Sequence, residues 1–135
     1  MTAMTQDRNT PARDAKDFQF PMAASVLIYA GAMVAINSSG YATKGQTATG
    51  LRGAGVAQEH ADNATGAASD ISVKVRRGCF RFANSASGDA ITLADVGSDC
   101  YMVDDQTVAK TSGSNTRSVA GKVRDVESAG VWVEF

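Results

Sequence analysis

Residues 91–135 read ITLADVGSDCYMVDDQTVAKTSGSNTRSVAGKVRDVESAGVWVEF, and almost every segment carries strand or turn chemistry. Cys100-Tyr101-Met102-Val103 is a compact apolar run, Asp104-Asp105-Gln106 a turn, and Thr107-Val108-Ala109 the next strand. Ser112 to Asn115 interrupt it, Val119 to Val126 alternate, and Ser128-Ala129-Gly130 turn the chain into Val131-Trp132-Val133-Glu134-Phe135. A period of two puts one set of side chains on one sheet face, and glycine and small polar residues accept the tight angles between strands. The closing strand is expected to pair within a sheet with Trp132 buried, because a frayed end would leave Trp132 and Phe135 in water.

Working outward from this block, Thr92 followed by Asp95, with Gly97 able to stop the chain in the left-handed region, predicts one short helical turn near residues 92–97. Ile71-Ser72-Val73-Lys74-Val75-Arg76 is a half-exposed strand; Arg77-Gly78 turns or bulges it, and Cys79-Phe80-Arg81-Phe82-Ala83 continues. Lys74, Arg76, Arg77 and Arg81 gather much of the positive charge and define a candidate basic docking face for an acidic protein surface, against the simpler reading of a solvated strand face. Asn84 to Asp89 read as a turn. In residues 47–55, TATGLRGAG, Gly53 and Gly55 predict a strand with close backbone approach; no GxGxxG or Gly-Lys-Ser/Thr is present for a phosphate. Residues 56–70 read as a long hairpin loop, since Asp62-Asn63 and Gly66 oppose the helical leaning of the alanines.

Further upstream, Ala32 to Ile36, a turn at Asn37-Ser38-Ser39-Gly40 and Tyr41-Ala42-Thr43 predict a hairpin. Val26, Leu27, Ile28 and Tyr29 predict a strand apolar on both faces, suited to a core or an oligomer contact, and Trp132 joins this group. Residues 1–21 differ from the rest: polar, mixed in charge and holding both prolines, Pro11 and Pro21. Phe18 and Phe20 alternate around Gln19, which suggests an extended arm that gains order by docking, ahead of a single β domain at 22–135. The whole predicts an all-β fold, a small antiparallel β-barrel or sandwich with an extended amino-terminal arm.

Composition limits the chemistry. The chain has 135 residues, 44% hydrophobic, and a net charge of −1, enough for one core and without the basic excess of a nucleic-acid binder. Met22 to Ile36 is too short and too rich in glycine and β-branched residues to span a bilayer, and the acidic residues before it do not fit a secretory leader. No membrane partner and an intracellular product are therefore expected. Cys79 and Cys100 lack metal-ligand spacing; buried thiols are favoured, and spacing does not separate them from a disulfide. His60 has no nucleophile or orienting partner in sight. Asp95, Asp99, Asp104 and Asp105 lack the order of a calcium loop, and adjacent Asp104 and Asp105 fit a turn better than a catalytic pair. No cofactor, no metal and no enzymatic activity are expected.

Several stretches resemble the small head proteins of tailed bacteriophages. The resemblance starts in Tyr29 to Ala42, continues through Val73-Lys74-Val75-Arg76-Arg77-Gly78 and Phe80 to Asn84, and is closest in Ile91 to Gly97, Cys100 to Val108 and Gly130 to Phe135. It covers most of residues 29–135, leaves the arm uncovered, and points to the capsid decoration (cement) proteins and their prophage relatives. It implies a structural virion protein, made in the bacterial cytoplasm, that sits as a homotrimer on the head exterior and clamps the major capsid protein. On that view Arg8, Pro11, Arg13, Phe18, Phe20 and Pro21 are the candidate capsid-docking residues, the arm adding a strand to a capsid subunit. The rival expectation is a glycan- or surface-binding β-sandwich on a phage head or tail.

Overall fold

The computed structural model describes residues 2–135. Seven strands fill the first part of the chain: β1 (Asp17–Pro21), β2 (Val26–Ile28), β3 (Met33–Ile36), β4 (Ala42–Lys44), β5 (Arg52–Ala57), β6 (Ala61–Asn63) and β7 (Ser72–Arg76). Five more follow Gly78: β8 (Cys79–Asn84), β9 (Asp99–Met102), β10 (Thr107–Ala109), β11 (Val119–Glu127) and β12 (Gly130–Glu134). The fold is all-β. An open five-stranded sheet, in the order β1-β7-β5-β3-β4, packs against a closed barrel, in the order β10-β8-β12-β11-β9, and β2 and β6 pair as a separate ribbon. The barrel is antiparallel except for the parallel pair β8 and β10. It closes without leaving a strand edge, which removes the liability of unpaired backbone groups.

Alternation builds the barrel as expected. Val131 and Val133 are fully buried while Glu134 faces out, and β12 pairs with β11 on one side and β8 on the other. The expectation of a buried Trp132 is corrected: its side chain leaves the barrel with Arg81, its partner on β8, and is half-buried under the Arg81 guanidinium, 5.9 Å from the ring centroid. The period of two that buries Val131 and Val133 sends Trp132 outward. The turn of helix is present at Leu93–Asp95, where the Thr92 N–H donates to Asp95 Oδ2 at 2.8 Å and Gly97 has φ +92°. A second such turn, Ser87–Asp89, stands where only a turn was expected. Asp104 and Asp105 form the predicted turn, with the Gln106 N–H donating to Asp104 Oδ1 at 2.9 Å.

The sheet separates two hydrophobic clusters. Met33, Ala35 and Val56 join the barrel core, whereas Val34, Ala54, Ala57, Val73 and Val75 belong to a second cluster with Met22, Ile28 and Ala61. Two-sided burial therefore belongs to β3, where Met33, Val34 and Ala35 are all 0% exposed. The expectation for Val26 to Tyr29 was a place in a core or at an oligomer contact. There Ile28 is buried and Val26 and Leu27 half-buried, while Tyr29 is 57% exposed, edge-on to His60 at 5.4 Å. A ribbon lying on a sheet has one inner face; only the strand between barrel and ribbon has two. The long loop expected at 56–70 is corrected as well: β5 runs to Ala57, and Ala61–Asn63 pair with β2. Asn63 can be buried because its carboxamide donates to the Ala23 and Ala67 carbonyls at 2.9 and 3.0 Å.

Glycine sets the fit of sheet on barrel. A Cβ on Gly53 would lie 1.9 Å from the Ala120 carbonyl oxygen, and one on Gly55 2.3 Å from that of Arg76, the close approach read from the sequence. Ser118 fastens the same junction, donating to the Ala48 carbonyl at 2.7 Å and accepting the Leu51 N–H at 3.0 Å. Both cysteines are free: Cys100 is buried, which pushes its thiol up to about 11, and Cys79 is exposed where a buried thiol was expected. Cys79 shares the outward face of β8 with Arg81.

Asp89 anchors the segment that leads into β11. Its Oδ1 accepts from the Thr111 hydroxyl at 2.7 Å and the Thr111 N–H at 3.0 Å, and its Oδ2 from Arg117 Nη1 at 2.6 Å. The Thr111 hydroxyl, then Arg117, hold the carboxyl below the ordinary aspartate range. A carboxylate depressed in the folded state stabilises fully above its unfolded pKa and loses that contribution as pH falls through the folded value. Asp89→Asn is therefore expected to lower the urea midpoint at neutral pH, with the gap from wild type narrowing below about pH 4. A gap independent of pH would show that the charge is not what matters.

Candidate docking groove

The expected arm is shorter than residues 1–21. Residues 17–21 are β1, an edge strand of the sheet, in antiparallel register with β7 from Asp17 opposite Arg76 to Pro21 opposite Ser72. The Arg77 N–H bonds the Lys16 carbonyl at 2.7 Å and the Met22 N–H bonds the Ile71 carbonyl at 2.9 Å. These two bonds set the phase: Phe18 and Phe20 bond toward β7, while the backbone groups of Asp17 and Gln19 and the Pro21 carbonyl face outward. Strand addition by this segment is therefore made within the chain. Pro21 offers no N–H, one of the ways an edge is blunted.

Phe18 lies opposite Val75 and Phe20 opposite Val73, so both rings emerge on the sheet face of the second cluster. Their centroids are 6.0 Å apart and nearly parallel. The β2 and β6 ribbon covers one end of this face. At the other end β7 stops at Arg76, and a groove of about 410 Å³ opens over Phe18, Phe20, Ile36 and Ala54. Arg13, Arg52 and Arg77 line its rim. Arg13 reaches back from the arm and places its guanidinium 4.6 Å from the Phe18 ring centroid, a cation–π contact that orders the side chain. A neighbouring hollow of about 480 Å³, bordered by Gln19, Gln58 and Lys74, contains the Asp17–Arg76 ion pair at 2.9 Å.

The groove thus unites members of two groups that the sequence kept apart: Arg13, Phe18 and Phe20 from the docking set and Arg77 from the basic set. The remaining candidates lie elsewhere. Arg8 and Pro11 are exposed on the arm. Lys74 and Arg76 alternate with buried Val73 and Val75 and leave the opposite face of the sheet. Arg81 sits on the barrel, paired with Glu127 at 3.1 Å. The four cations therefore do not form one basic face. Arg52, Ile36 and Ala54 were missed; Arg52 stands in the glycine-rich stretch, read for its backbone alone. Among the described residues Arg76 and every lysine and arginine from Arg81 onward are ion-paired, whereas Arg13, Arg52 and Arg77 are not, nor are Arg8, Lys16, Lys44 and Lys74.

Among the described residues no group of three or more His, Cys, Asp or Glu could hold a metal ion, and no helix is long and apolar enough to cross a membrane. What the arrangement can do chemically is bind: an apolar floor, three guanidinium groups free to pair, and a tethered arm beside them. Set against models of protein families, curated proteins and solved structures, the chain matches none.

Proposed function

We propose that the chain is a non-enzymatic virion protein that binds the outer surface of a tailed-phage head as a homotrimer and stabilises the major capsid lattice. The resemblance to decoration proteins read in residues 29–135 motivates this reading. The observation that carries it is the groove, where arm residue Arg13 and strand residues Phe18 and Phe20 meet two further unpaired arginines on a half-covered sheet face. Many copies on one lattice add avidity, so a shallow site is sufficient for each copy. A glycan platform would need an open aromatic face, and Trp132, the only tryptophan, is overlaid by Arg81.

The structure sets where the arm is to be cut. Deletion through residue 20 would remove most of β1 and uncover Val73 and Val75; deletion through Ala15 spares the strand and the Lys16 carbonyl that holds the Arg77 N–H. The protein lacking residues 1–15 is expected to keep its fold and oligomeric state and to bind undecorated heads at least about tenfold more weakly. Co-sedimentation with such heads measures this. Unchanged affinity would reject the arm, and failure of the full chain to sediment would reject the reading.

A further inference from the structure

We infer that the groove between β1 and the start of β5 receives an extended acidic segment of a partner protein, an apolar side chain on its floor and carboxylates on its rim. This rests on the docking reading above and supplies the chemistry of the partner's side.

The shape selects the form of the occupant. About 410 Å³ admits one or two side chains from an extended strand, whereas an α-helix is about 10–12 Å across and would need a longer trough. The floor is apolar: Phe20 and Ile36 pack only partly against the second cluster, and Phe18 is half-buried. An apolar side chain laid there would complete a cover that the β2 and β6 ribbon leaves unfinished.

The rim selects the charge. In a protein of net charge −1, with 14 acidic and 13 basic residues, three arginines around one hollow without an acidic partner are not the outcome of a cationic excess. Guanidinium forks match the two oxygens of a carboxylate, and pairing beside an apolar floor is screened less than pairing in open water. The same forks match phosphate, so a single-stranded nucleic acid is the competing occupant. Two features oppose it. The Phe18 ring face is taken by Arg13 and is not free to stack a base. The cations nearest the groove do not extend it: Arg76 and Arg81 are bound to Asp17 and Glu127, and Lys74 leaves the opposite face of the sheet.

The test uses the full chain, labelled with ¹⁵N. Its probe is a twelve-residue peptide with one phenylalanine among glutamate, aspartate and serine; the controls are the same peptide with lysine for the acids and a twelve-nucleotide oligo(dT). Saturable amide shifts are expected at Phe18, Phe20, Ile36, Gly53 and Arg77, with the barrel unaffected. Arg52→Glu together with Arg77→Glu, both exposed positions, is expected to weaken binding about a hundredfold, about tenfold for each lost charged hydrogen-bonding group. Arg52→Lys with Arg77→Lys retains part of it. The same spectra show that each variant is folded.

No shifts at millimolar peptide, shifts elsewhere, tighter binding of oligo(dT), or an unchanged affinity in the double glutamate variant would each overturn the inference. Heads separate it from the docking reading. If the double glutamate variant sediments with heads like wild type, the groove assignment fails and docking stands. If the peptide binds the groove but the protein does not sediment with heads, docking fails and the groove assignment holds.

Discussion

Gly53→Ala is expected to destabilise the protein by about 3 kcal/mol, the upper part of the usual range for an overpacked interior. The added Cβ would meet the Ala120 carbonyl oxygen at 1.9 Å and its carbon at 2.8 Å, both backbone atoms. They cannot step aside as a side chain would: Ala120 is the bulged residue of β11, held between Val119 and Gly121, which pair with Tyr101 and Cys100 of β9. Relief requires moving sheet and barrel apart, which opens the packing of Met33, Ala35 and Val56 into the barrel core. Gly53 is a strand residue without a left-handed φ, so the cost is one of space. Gly40→Ala is the matched comparison: φ is +88° and nothing lies within 4 Å, so only the left-handed penalty of about 1–2 kcal/mol applies. Urea midpoints at constant slope measure both. A Gly53→Ala variant within about 0.5 kcal/mol of wild type would contradict this close approach.

Met33→Ala is expected to cost about 3 kcal/mol, within the range for deleting a buried large side chain. Met33 is fully buried in the barrel core, although it belongs to the sheet. Its N–H bonds the Asp105 carbonyl of the β9–β10 turn at 2.8 Å, so side chain and backbone both tie sheet to barrel, while its own carbonyl accepts the Gly45 N–H beside β4 at 2.8 Å. Val34, next in the chain, serves the other cluster. Sheet and barrel are therefore expected to unfold together, with Trp132 fluorescence, which reports the barrel, tracing the same urea curve as far-ultraviolet circular dichroism. Separate curves, or a loss below about 1 kcal/mol, would mean that β3 does not couple the two.

Much of the fold was legible because its causes are local. Alternation in Val131 to Glu134, the Thr92 and Asp95 pair, the Asn37 to Gly40 turn and the glycines at 53 and 55 each depend on residues a few positions apart. The errors have different sources. The pattern of Val26 to Tyr29 and that of Met33 to Ile36 look alike as apolar strings, and only the layer on each side shows which has two buried faces. Trp132 was read by its hydrophobicity and not by its phase against Val131 and Val133. Asn63 looked like a loop residue because its carboxamide partners, the Ala23 and Ala67 carbonyls, are not visible along the chain.

The groove was legible only in parts. Arg13, Phe18, Phe20 and Arg77 were named in two unconnected groups, and nothing local connects them with Arg52 or Ile36. By itself the sequence determined the strands, the turns and the glycines that permit close contact, since backbone preference and period act over short distances. The tertiary structure alone decided which cations are free to bind. Arg76 finds Asp17 across 59 residues and Arg81 finds Glu127 across 46, while Arg13, Arg52 and Arg77 converge on one hollow with no carboxylate to meet them. A side chain's charge is written in the chain; whether that charge is neutralised depends on which strands are brought side by side.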